Sequence, residues 1–171
     1  MKKLISLFEA YPQKLTEYTL MCERLDSQKL CGYIEREKRL CESLTWLGKT
    51  VSITMDRPIG AHHPKHPEIV YPINYGYIPD VIGGDGEELD VYLYGADKPL
   101  ENALCTVVGI IHRLDDNEDK LFAVMGETAQ SIPSAKEIRD ICRFQEQFHS
   151  SQIIRFRDRA VYEGENFSCQ D

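Results

Sequence analysis

The apolar residues of this chain change their period near Gly48, and that change decides what it can fold into. Upstream, Leu4, Leu7, Phe8, Tyr11 and Leu15, then Leu30, Ile34, Cys41, Leu44 and Leu47, recur at helical spacing, with breaks at Pro12 and Asp26-Ser27. Downstream the period is that of strands. V-S-I-T-M at 51–55 alternates, V-Y-L-Y at 91–94 is a compact β-rich run, and L-C-T-V-V-G-I-I at 104–111 is a longer one. L-F-A-V-M at 121–125 follows an acidic turn, which predicts a hairpin with 104–111. S-A-K-E at 134–137 has the form of a capping box and opens an amphipathic helix through Ile138, Ile141, Cys142 and Phe148. I-I-R-F-R-D-R at 153–159 is the candidate last strand. These patterns predict a helical extension over 1–48 and a mainly β domain with helices (α+β) over 49–171. The β part reads as a small barrel, not an alternating β/α sheet.

A chain of 171 residues suits one ordinary domain with a real core. Its formal charge of −8 argues against nucleic acid or an anionic membrane as main partner, and fits chemistry on small molecules or cations. The opening M-K-K-L-I-S-L-F imitates a signal peptide, but Glu9 interrupts the apolar run and no small-residue cleavage site follows. No stretch approaches the roughly 20 apolar residues of a membrane span. The six cysteines are scattered without a C-x-x-C pair, as reduced thiols of a cytoplasmic protein are. The early apolar stripe packs on its own domain or serves a homo-oligomer interface.

Three segments carry possible chemistry. G-D-G-E-E-L-D at 84–90 crowds Asp85, Glu87, Glu88 and Asp90 beside a buried run, with glycines that permit a tight turn. Unit charges about 4 Å apart repel by roughly 4 kcal/mol at an effective dielectric near 20, so a cation there relieves a real cost. L-D-D-N-E-D-K-L at 114–121 adds Asp115, Asp116, Glu118 and Asp119, followed by Lys120. Two acidic turns brought together would form a clamp for hard cations such as Mg²⁺, which take oxygen ligands and substrate phosphates. Y-P-I-N-Y-G-Y-I-P at 71–79 supplies phenols that can reach phosphate oxygens. Singly, each segment reads as an ordinary turn or an aromatic hairpin.

In combination, Y-P-x-N-Y-G-Y-I, then D-G-x-x-x-D, then a second acidic turn ending in Lys, resembles the soluble family I inorganic pyrophosphatases over roughly residues 50 to 150. The resemblance implies a five-stranded, OB-like β-barrel with flanking helices, Mg²⁺ dependence and hydrolysis of diphosphate to two orthophosphates. It implies Asp85, Asp90 and Asp116 as metal ligands, together with Glu118 or Asp119. Period-two alternation favours Glu118, which shares a strand face with Lys120, although the shortened loop allows either. Glu87 stands where the family has the Asp that takes a proton from the attacking water. Tyr71, Tyr75 and Lys120 match substrate-binding residues. The phosphate grip departs most: Arg57 and Lys65 are the strong cations of the compressed segment 56–67, and neither has the family spacing. Phe148-His149 replaces a Tyr-Lys pair, and Arg155, Arg157 or Arg159 could compensate. Two prolines interleave His62, His63 and His66, so that run is not read as a transition-metal site. Hydrolysis of another small phosphorylated substrate, or non-catalytic binding of cations or phosphate, are the alternatives to diphosphate hydrolysis.

Overall fold

In the computed structural model, residues 27–125 and 132–156 are described. The expected helical segment before residue 27 and the arginines at 157 and 159 lie outside that range. Helix α1 (Ser27–Leu44) leads through a turn to Gly48, whose φ of 82° suits a residue without Cβ. The Gly48 N–H then donates to the Val107 carbonyl at 2.8 Å, tying the helix exit to the sheet.

Six strands follow the period change. They are β1 (Thr50–Arg57), β2 (Asn74–Ile82), β3 (Glu88–Tyr94), β4 (Asn102–Arg113), β5 (Asp119–Met125) and β6 (Ser151–Arg155), with helix α2 (Ala135–Glu146) before the last. The spatial order is β1-β2-β3-β5-β4, and β1 pairs again with β4 to close the barrel. The β4–β5 hairpin forms as expected, which leaves β5 parallel to β3 through the register Val91↔Leu121. Along its other edge β4 pairs first with β1 and then with β6, so its twelve residues serve two partners.

Alternation sorts the apolar residues into two cores. Val51, Ile53, Ile78, Val91, Leu93, Cys105, Val107, Ile110, Leu121, Ala123 and Ile154 come from all six strands and fill the barrel, with Leu40 of α1. Tyr75, Tyr92, Val108, Ile111, Phe122 and Val124 point outward and are covered by Ile138 and Cys142 of α2. The register shift between Val107 and Gly109 switches the parity, so Val107 and Ile110 both point in while Val108 and Ile111 both point out.

The capping box opens α2: Ser134 Oγ accepts from the Glu137 N–H, and the Glu137 carboxylate accepts from the Ser134 N–H. The helix ends at Glu146, two residues before the expected Phe148, because a turn carries the chain into β6. Phe148 is consequently exposed. The last strand also starts earlier than expected, at Ser151. No described helix is long and apolar enough to cross a membrane.

Gly76 of β2 shows how close the strands come. A Cβ there would lie 2.0 Å from the Thr54 carbonyl oxygen and 2.8 Å from the Met55 Cα, both backbone atoms with little room to yield. Gly76→Ala should therefore cost at least about 2 kcal/mol in urea unfolding.

Candidate active site

The N-terminal ends of β3 and β5 lie side by side because the two strands are parallel, and the loops preceding them share one end of the barrel. Val91 and Leu121 point inward, so Asp90 and Lys120 point together to the outer, α2-covered side. Lys120 Nζ donates to Asp90 Oδ2 and to Glu118 Oε2. The Tyr75 hydroxyl donates to the same Asp90 oxygen at 2.5 Å, and Lys120 Nζ lies 5.8 Å from the Tyr75 ring centroid. Burial, followed by the Asp90 charge, pushes the Tyr75 phenol well above its ordinary range, so it is a donor at neutral pH.

Glu118 is buried, and its Oε1 finds no hydrogen-bond partner among the described residues. Burial raises its pKa from 4.5 to about 7, against the pull of Lys120. The buried Tyr71 hydroxyl likewise has no partner among the described residues. Arg57 lies over the same aromatic pair, its Cζ 5.7 Å from the Tyr71 centroid and 5.4 Å from that of Tyr75. It also pairs with Asp56 at 3.1 Å.

A second charged group adjoins the first. Buried Arg113 donates Nε and Nη2 to Glu146 of α2 at 3.0 and 2.7 Å, and Nη1 to Asp116 Oδ2 at 2.9 Å. The same Nη1 is 3.8 Å from Glu118 Oε2. Tyr92 completes the group by donating to Glu146 Oε1 at 2.7 Å. Asp116 is partly desolvated, yet the Asn117 N–H and Arg113 hold its carboxyl below the ordinary range. Arg113 and Glu146 were not among the residues expected from sequence. The available signal was their position: Arg113 continues the outward face of β4 after Ile111, and Glu146 continues the buried stripe Ile138, Cys142 at helical spacing.

The first acidic loop is more open. Asp85 and Glu87 are exposed, and Asp85 Oδ1 accepts the Glu87 N–H at 3.0 Å. Glu88 is half-buried and accepts from the Asp80 N–H. The two acidic loops touch: a Cβ on Gly84 would lie 2.0 Å from the Asn117 carbonyl oxygen. Asp119 turns the other way from Glu118 and Lys120. Its carboxylate, buried on the inward side, is bound by Arg39, Ser43 and His112 at 2.9, 2.8 and 2.9 Å. Lys65 is exposed in the loop after β1. Beside it, His63 Nδ1 accepts two backbone N–H groups, while His62 and His66 bond to Pro67 and Glu68.

No three His, Cys, Asp or Glu side chains among the described residues form a metal-holding cluster. The donor chemistry nevertheless fits a hard divalent ion. Asp90 and Glu118 converge on one cation, Lys120, and Glu118 keeps a buried oxygen without a partner among the described residues. Mg²⁺ commonly binds through one or two carboxylates with water and substrate phosphates filling the remaining positions.

Glu118 should also mark the pH dependence of stability. Its folded pKa near 7 exceeds its ordinary 4.5, so folding takes up a proton between those values. The stability tied to that proton is fully present below 4.5 and is lost as pH rises through about 7. Asp116 and Asp119 are shifted below 3.8 and titrate outside this window. Thermal midpoints of metal-free protein should therefore fall less steeply with pH across this window in Glu118→Gln than in wild type.

Comparison with known proteins bears on the family and the fold. A family model described as inorganic pyrophosphatase matches residues 48–169. The inorganic pyrophosphatase of Haemophilus influenzae is 29% identical over 106 residues, covering 59% of this chain and 56% of its own. That of Neisseria meningitidis serogroup A is 30% identical over 103 residues, covering 57% and 54%. The chain thus spans about half the length of these curated relatives. Among solved structures, an inorganic pyrophosphatase from Coxiella burnetii superposes with TM-score 0.51 at 16% identity, over 71% of this chain and 95% of that one. One from Neisseria gonorrhoeae gives 0.50 at 20% identity, over 70% and 90%, a likeness of fold. With most of its length matched by the family model and its barrel shared with these structures, the chain belongs to the inorganic pyrophosphatase family.

Proposed function

We propose that this protein hydrolyses inorganic diphosphate to two orthophosphates with Mg²⁺, as a cytoplasmic enzyme. Residues 49–171 form the catalytic domain and residues 1–48 an extension of it. The observation that carries the reading is buried Lys120 and Glu118 with half-buried Asp90 under Tyr75, beside the Glu118 Oε1 and Tyr71 hydroxyl that have no partner among the described residues. Such a set of fixed charges and unsatisfied polar atoms is suited to an ionic ligand.

Asp90 and Glu118 are the inner metal-holding residues, and Asp85 and Asp116 the outer ones on the two loops. Mg²⁺ bound there would acidify the attacking water and offset phosphate charge. Glu87 is exposed on the first loop, free to approach a ligand, and takes the proton of that water as its oxygen bonds to phosphorus. The P–O–P bond breaks, and the bridging oxygen leaves with its electron pair on the departing orthophosphate. Lys120 and Arg57 neutralise the charge that accumulates there, and Tyr71 and Tyr75 donate to phosphate oxygens. Lys65 meets the outer phosphate from its exposed loop.

Phosphate release from diphosphate, with and without Mg²⁺ and with nucleotides as controls, tests the reading. Turnover confined to diphosphate and requiring Mg²⁺ is expected; turnover of nucleotides alone would move the assignment to another phosphorylated substrate. Glu87→Gln should lower turnover by about 10²- to 10⁴-fold with little change in metal affinity, the span typical of general-base catalysis. Glu88→Gln should keep activity within about tenfold, roughly 1.4 kcal/mol in the barrier.

A further inference from the structure

We propose that Arg39 of α1 is a positioning residue for the acidic site, which makes α1 a working part of that site. The inference rests on reading the site as one for a divalent cation and diphosphate. Helix α1 lies before the residues matched by the family model.

Arg39 touches both acidic loops and the strand between them. Its Nε donates to Asp119 Oδ1 at 2.9 Å, and its Nη2 to the Arg113 carbonyl at 2.6 Å. Its Cδ lies where a Cβ on Gly84 would be 2.9 Å away. Ser43, one helical turn on, donates to Asp119 Oδ2 at 2.8 Å, and His112 Nδ1 is 2.9 Å from Oδ1. Both oxygens of a fully buried carboxylate are therefore occupied, two of the three partners coming from α1.

The consequence follows from strand geometry. Asp119 sits between Glu118 and Lys120, and successive strand residues project to opposite faces. A carboxylate clamped on the inner side sets where its two neighbours project on the outer side. The bond to the Arg113 carbonyl acts in the same way, because that residue's guanidinium holds Asp116. The packing on Gly84 bears on the backbone next to Asp85. One side chain of α1 thus sets the relative placement of Asp85, Asp116, Glu118 and Lys120. Clefts of about 540 and 330 Å³ separate α1 from the acidic loops, and Arg39 lines both.

Ser43→Ala, Arg39→Lys and Arg39→Met test the proposal, with Glu42→Gln as control. Glu42 is exposed and pairs with Lys38 on the same helix; it lines the smaller cleft but makes no hydrogen bond to either loop among the described residues. The readouts are thermal midpoint, Mg²⁺ affinity by calorimetry without substrate, and kcat and KM for diphosphate. Residues that orient metal ligands typically change metal affinity or activity about 10- to 100-fold. Arg39→Met should fall in that range, with kcat lost more than KM is raised. Ser43→Ala and Arg39→Lys should move the same way by about tenfold or less. The control should leave all values unchanged. If Arg39→Met fails to fold, the two milder variants decide the matter. Variants with a lowered thermal midpoint but Mg²⁺ affinity and kcat within about twofold of wild type would make Arg39 a structural anchor only and overturn the proposal. A wild type that binds Mg²⁺ but leaves diphosphate intact would defeat the catalytic reading, while the affinity series still decides the role of Arg39. A wild type that binds no Mg²⁺ overturns both, and it reports this before any variant is made.

Discussion

The Lys120 ammonium is the charge on which the rest of the site depends. Taking a carboxylate out of water costs several kcal/mol unless a cation and good hydrogen bonds accompany it. Glu118 is buried, and Lys120 stands between it and Asp90. Even so, the Glu118 carboxyl is pushed to about 7, so a single lysine offsets the desolvation only in part. The remaining demand for positive charge is the physical reason for reading the place as a cation site.

The arrangement depends on one short stretch of β5. Glu118, Asp119 and Lys120 alternate out, in, out, and the two sides carry different tasks. Outward, the pair faces Asp90 and Tyr75. Inward, Asp119 accepts from α1 and pairs with His112 of β4. The β3–β5 parallel register aligns Asp90 with Lys120, and the contact of Gly84 with Asn117 brings the two loops together. A slip of one residue in β5 would exchange the two sides, turning Leu121 outward, burying Lys120 among Val91 and Ile110 and losing the anchor of α1.

Much of this was legible in sequence because it rests on short-range periodicity. The strands 51–55, 91–94, 104–111 and 121–125 and the α2 capping box need only alternation and local hydrogen bonds to be recognised. Alternation also put Glu118 on the face of Lys120, while the shortened loop left Asp119 open as the ligand. What escaped depends on partners distant in sequence. Arg113 meets Glu146 thirty-three residues on, and Asp119 meets Arg39 eighty residues back. Acidic residues in one turn look alike until the fold shows which of them face an arginine. The boundary at Phe148 was misplaced for a related reason, since apolar spacing does not record where a turn must form to deliver β6 to β4.

The central claim is that Asp90 and Glu118 form the inner wall of a divalent-cation site in which Lys120 now stands between them. Anomalous diffraction from crystals soaked with Mn²⁺ and a non-hydrolysable imidodiphosphate addresses it most directly. The account predicts an anomalous peak bounded by the Asp90 and Glu118 carboxylates, with Lys120 withdrawn from at least one of them toward the phosphate. Mn²⁺ lodged elsewhere on the protein, with Lys120 still bridging the two acids, would contradict it.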